Sequence, residues 1–424
     1  MLSRLTGVTP TRILTTLAVI LWCAALPAAD LGLPAARSAE SVGFTSARLP
    51  RIDAYLQRTI AAGQYAGATW LVARDGQVVT HGAAGWSDVA TRTAMTEDTA
   101  FAIASMTKLV TTVTVLSLLE EGRFNLEDPV ALYLPELANL QVFVGGTAAA
   151  PVLQPAVRPV TIRHLLTHTS GFSGYFDMEP LTTLYNSADL WASHTLGEFT
   201  AKAARRPLLF QPGEGWNYGI STDLLGALIE KLTGQTLAEA MRVRVFAPLG
   251  MNHTGFTPPP DLVLAKLHGH DAAGRLIVVA GPPIPRPPEG IFSGGGGLYS
   301  TLHDYARFAQ MLLNDGELGG VRVLGRKSVE LMRSNHVEYL NPRPKNRWVP
   351  PGFGFGVRVR RDRADEADSL GSPGQFGWEG ILTSYVSIDP HERMFVLLLM
   401  QHQPYDEGGV FEKFANTVYQ ALEK

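Results

Sequence analysis

Cysteine is almost missing from this chain: 424 residues contain one, Cys23. It lies inside an N-terminal apolar stretch, so removal of that stretch would leave neither a disulfide nor thiol chemistry. Runs of one charge are missing too. Lys and Arg number 36 and Asp and Glu 39, with the signs interspersed and a net charge of −3. No basic tract is present to track a nucleic acid backbone. No Gly-x-Ser-x-Gly occurs, which argues against an ordinary α/β-hydrolase nucleophile elbow. Gly171-Phe-Ser-Gly-Tyr175 comes close but lacks the final glycine. The run Gly294–Gly297 is not followed by Gly-Lys-Ser/Thr, so it is no phosphate loop and reads as tight backbone passage.

What the N-terminus does contain is the layout of a secretory leader. Arg4 and Arg12 precede an apolar stretch from Ile13 to Leu26, followed by small residues. The stretch is short for a membrane span and is broken by Pro27. A cut after Ala36-Arg-Ser38 fits the small-x-small rule, so residues 1–38 are predicted to be a signal peptide. The protein is then expected to be periplasmic or secreted, with no stable membrane span. An uncleaved leader would instead make an inner-membrane anchor. Trp22, directly before Cys23, disfavours lipid attachment there.

The remaining length suits two domains, or one large fold with an insertion. Residues 46–63 carry apolar residues at helical spacing, and Ala68–Ala73, Asp75-Gly76 and Gln77–Thr80 read as a β-hairpin. Residues 125–290 turn to helices, loops and proline, with 143–160 reading as an irregular insertion. Strand signals return at 354–359, 378–387 and 394–400, and a closing helix at 410–422. An α/β domain (39–124 and 291–424) completed by both chain ends is therefore expected, with 125–290 inserted as a mainly helical lobe. A cleft between the two would be the natural site.

The segment Phe101-Ala-Ile-Ala-Ser-Met-Thr-Lys-Leu-Val110 opens a strong helical pattern. Ser105 and Lys108 are three apart and share a helix face. An amine one turn below a hydroxyl can make it a nucleophile without a metal or a histidine. The same pair also reads as an N-cap serine with a solvated lysine, and such spacing arises often by chance. Context has to decide.

Five ordered segments supply it. They are Ser105-Met-Thr-Lys108; Thr161-Ile-Arg-His-Leu-Leu-Thr-His-Thr-Ser-Gly-Phe172; Tyr218, between Phe210-Gln-Pro-Gly-Glu-Gly-Trp-Asn and Asp223-Leu-Leu-Gly226; Gly294–Phe308; and Phe376-Gly-Trp-Glu-Gly380 before Asp389-Pro390. Over nearly the whole chain after the leader they resemble the class C β-lactamase and D-alanyl-D-alanine peptidase superfamily. The closest likeness is to the β-lactamase-like family VIII carboxylesterases. The resemblance implies an α/β fold in which an antiparallel sheet is flanked by helices. It implies an acyl-enzyme on Ser105, with Tyr218, beside the Lys108 cation, as the base. The backbone N–H groups of Ser105 and Ile381 would form the oxyanion hole. It implies no metal and no other cofactor. A tyrosine, with an unperturbed pKa of about 10, serves near neutral pH only beside a cation.

The chain departs from the lactamase and peptidase pattern at two places. Ile220 stands where an Asn is usual, and Trp378 where Lys or His is usual. The Asn grips peptide-like side chains and the cation attracts a substrate carboxylate. Apolar residues there favour uncharged esters. Ile220, Trp378 and Gly380 are thus the expected substrate-binding positions, and a small-molecule ester the expected partner. Glu379 departs from the usual Trp-Gly-Gly of the esterases. Strand alternation puts it on the face opposite Trp378 and Gly380, away from substrate. Rival functions are β-lactamase or D-amino-acid peptidase activity with the same nucleophile, acyl transfer, and a non-catalytic envelope binding protein. The intact Ser105, Lys108 and Tyr218 argue against the last.

Weaker signals have ordinary readings. His164 and His168 have metal-pair spacing but no evident third ligand. His268-Gly-His270-Asp271 reads as a loop, and Trp191 and Trp216 as core.

Overall fold

A computed structural model describes residues 32–174, 181–185, 187–281, 290–340, 350–362 and 369–423. The predicted leader lies outside them, apart from residues 32–38, and so does most of the connector predicted at 281–290.

A seven-stranded sheet organises the chain. Its strands are β1 (Gly67–Arg74), β2 (Gln77–Asp88), β3 (Thr93–Ala94), β4 (Arg358–Val359), β5 (Phe376–Gly380), β6 (Ser384–Asp389) and β7 (Met394–Leu399). The order is β4-β5-β6-β7-β1-β2-β3, with antiparallel neighbours throughout. β1 and β7 are paired at the centre, Thr69 against Leu399 through Arg74 against Met394. Strands from the two ends of the chain thus make one sheet. The β1–β2 turn has Asp75 at φ 55° and Gly76 at φ 73°, the two positive values a tight hairpin demands.

Strand alternation divides the core. Leu71 and Ala73 of β1, with Phe395, Leu397 and Leu399 of β7, face one hydrophobic cluster. Ala68, Trp70 and Val72, with Met394, Val396 and Leu398, face the other. Helices α1 (Pro50–Ala61) and α5 (Val410–Tyr419) cover the second face through Ile52, Leu56, Phe411, Phe414 and Val418. On the first face α4 (Leu302–Leu313) lies against the strands, and α2 (Thr107–Glu120) and α3 (Ser221–Thr233) pack against each other in the same cluster. Each fully buried Leu or Phe contributes about 1.5–3 kcal/mol. This is the expected α/β architecture, an antiparallel sheet with helices on both sides.

Several boundaries move. Residues 143–160 are not irregular throughout: Gln141–Gly146 and Pro151–Pro155 form a hairpin. The single strand expected over 378–387 is two strands, β5 and β6, joined by a tight turn in which Thr383 has φ 65°. Only Arg358–Val359 of the strand expected at 354–359 forms, because Gly356 turns the backbone to φ 64° just before it. Residues 34–36 run beside β2: Ala36 N–H donates to Val78 O and Val78 N–H to Pro34 O, each at 2.8 Å. A cut after Ser38 would remove both bonds.

Candidate active site

Ser105 sits in a single 3-10 turn, Ala104–Met106, that runs straight into α2. Ala104, just before it, is held at φ 43°, an unusual value for a residue with a Cβ. Helix α2 is buried on almost every side, although it is rich in Thr and Val, which are poor helix formers. Its threonines have other work. Thr107 Oγ1 accepts Leu298 N–H at 3.2 Å, and Thr111 Oγ1 donates to Gly294 O at 2.6 Å. These bonds lash the glycine run to the turn that carries Ser105. Ile103 N–H donates to Leu298 O at 3.0 Å and adds a third tie.

Lys108 is almost wholly buried, one turn along from Ser105. Its Nζ donates to Ser105 Oγ at 3.3 Å and to Gly295 O at 2.5 Å, and lies 4.6 Å from the centre of the Tyr218 ring. The Tyr218 hydroxyl is closer to the serine, 2.8 Å from Ser105 Oγ. The three residues expected to act together, separated by up to 113 positions, therefore meet. The solvated-lysine reading of Lys108 does not hold.

Tyr218 is positioned by the segment that the sequence marked at 161–172 without a task. Asn217 N–H donates to His168 O at 3.0 Å, and Ile220 N–H to Ser173 O at 3.2 Å. A Cβ on Gly219 would lie 2.8 Å from the Ser173 carbonyl, so only glycine allows this approach. Behind the phenol stand the rings of His168, Trp216 and Trp378, with centroids 5.1, 6.3 and 5.4 Å away. His168 is fully buried, and burial, with the Lys108 charge, pushes its pKa down to about 3. It is a neutral member of the aromatic wall. His164 instead caps its own helix, accepting Thr161 N–H on Nδ1 at 3.1 Å.

Trp378, half-buried on β5, stacks on Tyr218 and donates its indole N–H to the Tyr218 oxygen at 3.2 Å. Sequence reasoning placed it at the site but as a wall for substrate; the contact with Tyr218 was not foreseen. Glu379 points the other way and pairs with Arg358, as strand alternation requires. Gly380 is tightly confined: a Cβ there would lie 2.2 Å from Ser384 Oγ and 2.5 Å from Ile103 O. That closeness sets the turn carrying Ile381 against the Ser105 turn. Among the described residues, neither Ser105 N–H nor Ile381 N–H has a protein acceptor. Ile220 sits apart from this group. Its side chain is fully buried in the main core at the start of α3 and presents no surface to a substrate.

One residue of the segment after Tyr218 was given no role by the sequence. Asp223, buried on α3, accepts Gly295 N–H at 2.9 Å and the Ser293 hydroxyl at 2.7 Å on one oxygen. It thereby orients the carbonyl of Gly295 toward Lys108. Its place in the segment directly after Tyr218 was the available signal.

The arrangement is a serine hydroxyl between a buried ammonium and a phenol, near two unused backbone donors. Comparison with known proteins agrees with it. Protein Rv1367c of Mycobacterium tuberculosis is 34% identical over 368 residues, covering 83% of this chain and 90% of its own. Esterase EstB of Burkholderia gladioli is 33% identical over 283 residues, covering 61% of this chain and 68% of its own. The solved structure of EstCE1, a hydrolase with promiscuous acyltransferase activity, superposes with a TM-score of 0.74 at 25% identity. It covers 88% of this chain and 99% of its own. The family model for Beta-lactamase matches residues 52–417. The chain is thus a member of the Beta-lactamase family of serine hydrolases.

Proposed function

We propose that the protein is a carboxylesterase that works through an acyl-enzyme on Ser105. The observation that carries this reading is the Tyr218 hydroxyl 2.8 Å from Ser105 Oγ, with Lys108 Nζ on the same oxygen at 3.3 Å. Tyr218 takes the serine proton while Ser105 Oγ attacks the ester carbonyl. The N–H groups of Ser105 and Ile381 receive the oxyanion. Tyr218 returns the proton to the departing alkoxide, and water, activated in the same way, releases the acid and frees the serine.

The preference for uncharged esters rests on Trp378. Where the lactamases and peptidases carry a cation for a substrate carboxylate, this chain carries an indole. Burying a carboxylate against it would be costly. The names of EstB and EstCE1 fit the same reading. Acyl transfer is a second reading, favoured by the activity of EstCE1, since an alcohol can intercept the acyl-enzyme in place of water. The leader features at Arg4–Leu26 support a location in the periplasm or outside the cell. Among the described residues, no helix is long and apolar enough to cross a membrane.

The test is a steady-state panel of p-nitrophenyl acetate and butyrate against nitrocefin and a D-Ala-D-Ala peptide. The esters should turn over fastest, and Tyr218→Phe and Lys108→Ala should each cost about 100-fold or more in kcat. Faster turnover of nitrocefin than of either ester would overturn the esterase reading. Near-normal rates in Lys108→Ala would overturn the mechanism.

A further inference from the structure

The sequence offered His268-Gly-His270-Asp271 as an ordinary loop and assigned no metal. Folding changes its surroundings. His268–His270 forms one strand of a small hairpin with Leu276–Val278, and that hairpin docks on the chain just after β7. His268 N–H donates to Gln401 O at 3.0 Å and Gln403 N–H to His268 O at 2.9 Å. This docking brings His270, His402 and Glu407 together, with one ligand atom from each within 4.8 Å of the others. His268 is engaged elsewhere, accepting Val89 N–H on Nε2 at 3.2 Å.

We propose that His270 Nδ1, His402 Nε2 and a Glu407 carboxylate oxygen form a binding site for a divalent cation of the zinc class. Two neutral imidazoles and a carboxylate are a zinc-type donor set, with water completing a tetrahedron. The orientation of His270 argues for a cation at the centre. Its Nε2–H donates to Gly63 O at 2.9 Å, which leaves the lone pair on Nδ1. That lone pair faces Glu407 Oε2 at 3.4 Å. Two acceptors so placed need a positive centre between them, a second proton on the ring or a metal.

One of the three spacings already suits a metal. Donors around a tetrahedral zinc with bonds of about 2.0–2.1 Å lie roughly 3.3 Å apart. His270 and Glu407 already stand near that value. His402 Nε2 and Glu407 Oε2 are 2.6 Å apart, bridged by a proton, and must part by roughly 0.7 Å as metal replaces it. Glu407, exposed on its loop, has the freedom to move. His402 does not: its N–H donates to Leu382 O at 3.0 Å and its carbonyl accepts the Thr383 hydroxyl at 3.0 Å. The cation would therefore tie the hairpin to the backbone directly behind the turn that carries Ile381. The site is independent of the reading of Ser105 as nucleophile.

The experiment titrates zinc alone into untagged, chelator-treated full chain, with the bound metal counted by elemental analysis after dialysis. His270→Ala and Glu407→Ala are measured in parallel, and circular dichroism without metal confirms that both are folded. The expected result is one zinc per chain at micromolar concentrations or below, and a thermal midpoint that rises with zinc. Each variant should bind at least about tenfold more weakly and lose the rise. Absence of binding at about 100 μM zinc, or wild-type affinity in both variants, would overturn the proposal.

Discussion

The indole N–H of Trp378 donates to the phenol oxygen of Tyr218 at 3.2 Å, while the two rings stack with centroids 5.4 Å apart. The same oxygen reaches Ser105 Oγ at 2.8 Å. Trp378 therefore touches the group proposed to move the proton. It supplies a donor to that oxygen whenever the tyrosine has given its proton up. Trp378→Phe keeps a stacked ring and removes the donor. It should lower kcat for p-nitrophenyl esters by about tenfold or more, the worth of one hydrogen bond to a charged group, with KM within about threefold. An unchanged kcat with a raised KM would make Trp378 a substrate wall only.

Asp223 acts one step further back, by holding Gly295 where its carbonyl meets Lys108. Asp223→Ala leaves the buried Ser293 hydroxyl and Gly295 N–H without an acceptor. Urea unfolding should show a loss of about 1–3 kcal/mol. The kcat of the folded fraction should also fall. Asp223→Asn keeps an acceptor oxygen and should restore much of both. Stability lost with kcat intact would mean that the loop, but not Lys108, depends on Asp223.

His168 gives the stability a pH dependence of known sign. Its ring stays neutral in the fold down to about pH 3, whereas the unfolded chain takes the proton below about 6.5. Between those values the unfolded state binds more protons, so stability falls as pH falls. At pH 5 the penalty is about 2 kcal/mol relative to pH 8. His168→Leu removes it. Unfolding measured at pH 8 and pH 5 should show a smaller loss in the variant than in the wild type. Equal losses would contradict a neutral, buried His168.

The pairing of residues 34–36 with Val78 bears on the leader. A chain starting at residue 39 lacks two backbone hydrogen bonds that a chain starting at residue 32 keeps. Thermal unfolding should find the shorter chain less stable by about 1–3 kcal/mol. The intact mass of exported protein should then retain residues 34–36. An exported chain beginning at Ala39, as stable as the longer one, would contradict this.

The legible parts of the sequence were those with local signals. Short apolar runs at 68–73 and 394–400 marked the two central strands, and Ser105, Lys108 and Tyr218 stood in ordered segments. The hairpin at 141–155 was hidden by its Gly and Pro, and the division of 378–387 by a turn with no glycine at its positive φ. Ile220 was expected to line the site because a position in a motif does not say which way a side chain points. The contacts from Trp378 to Tyr218, from Asp223 to Gly295 and from His270 to Glu407 depend on how segments dock. No periodicity in the chain records that.

The central claim is that Ser105 carries the acyl group. Intact-mass measurement after rapid quenching of a p-nitrophenyl butyrate reaction tests it directly. The chain should gain the mass of one butyryl group, mapped by peptide analysis to the segment holding Ser105, and Ser105→Ala should gain nothing and hydrolyse no ester. A butyryl adduct that persists in Ser105→Ala, or undiminished ester turnover by that variant, would contradict the account.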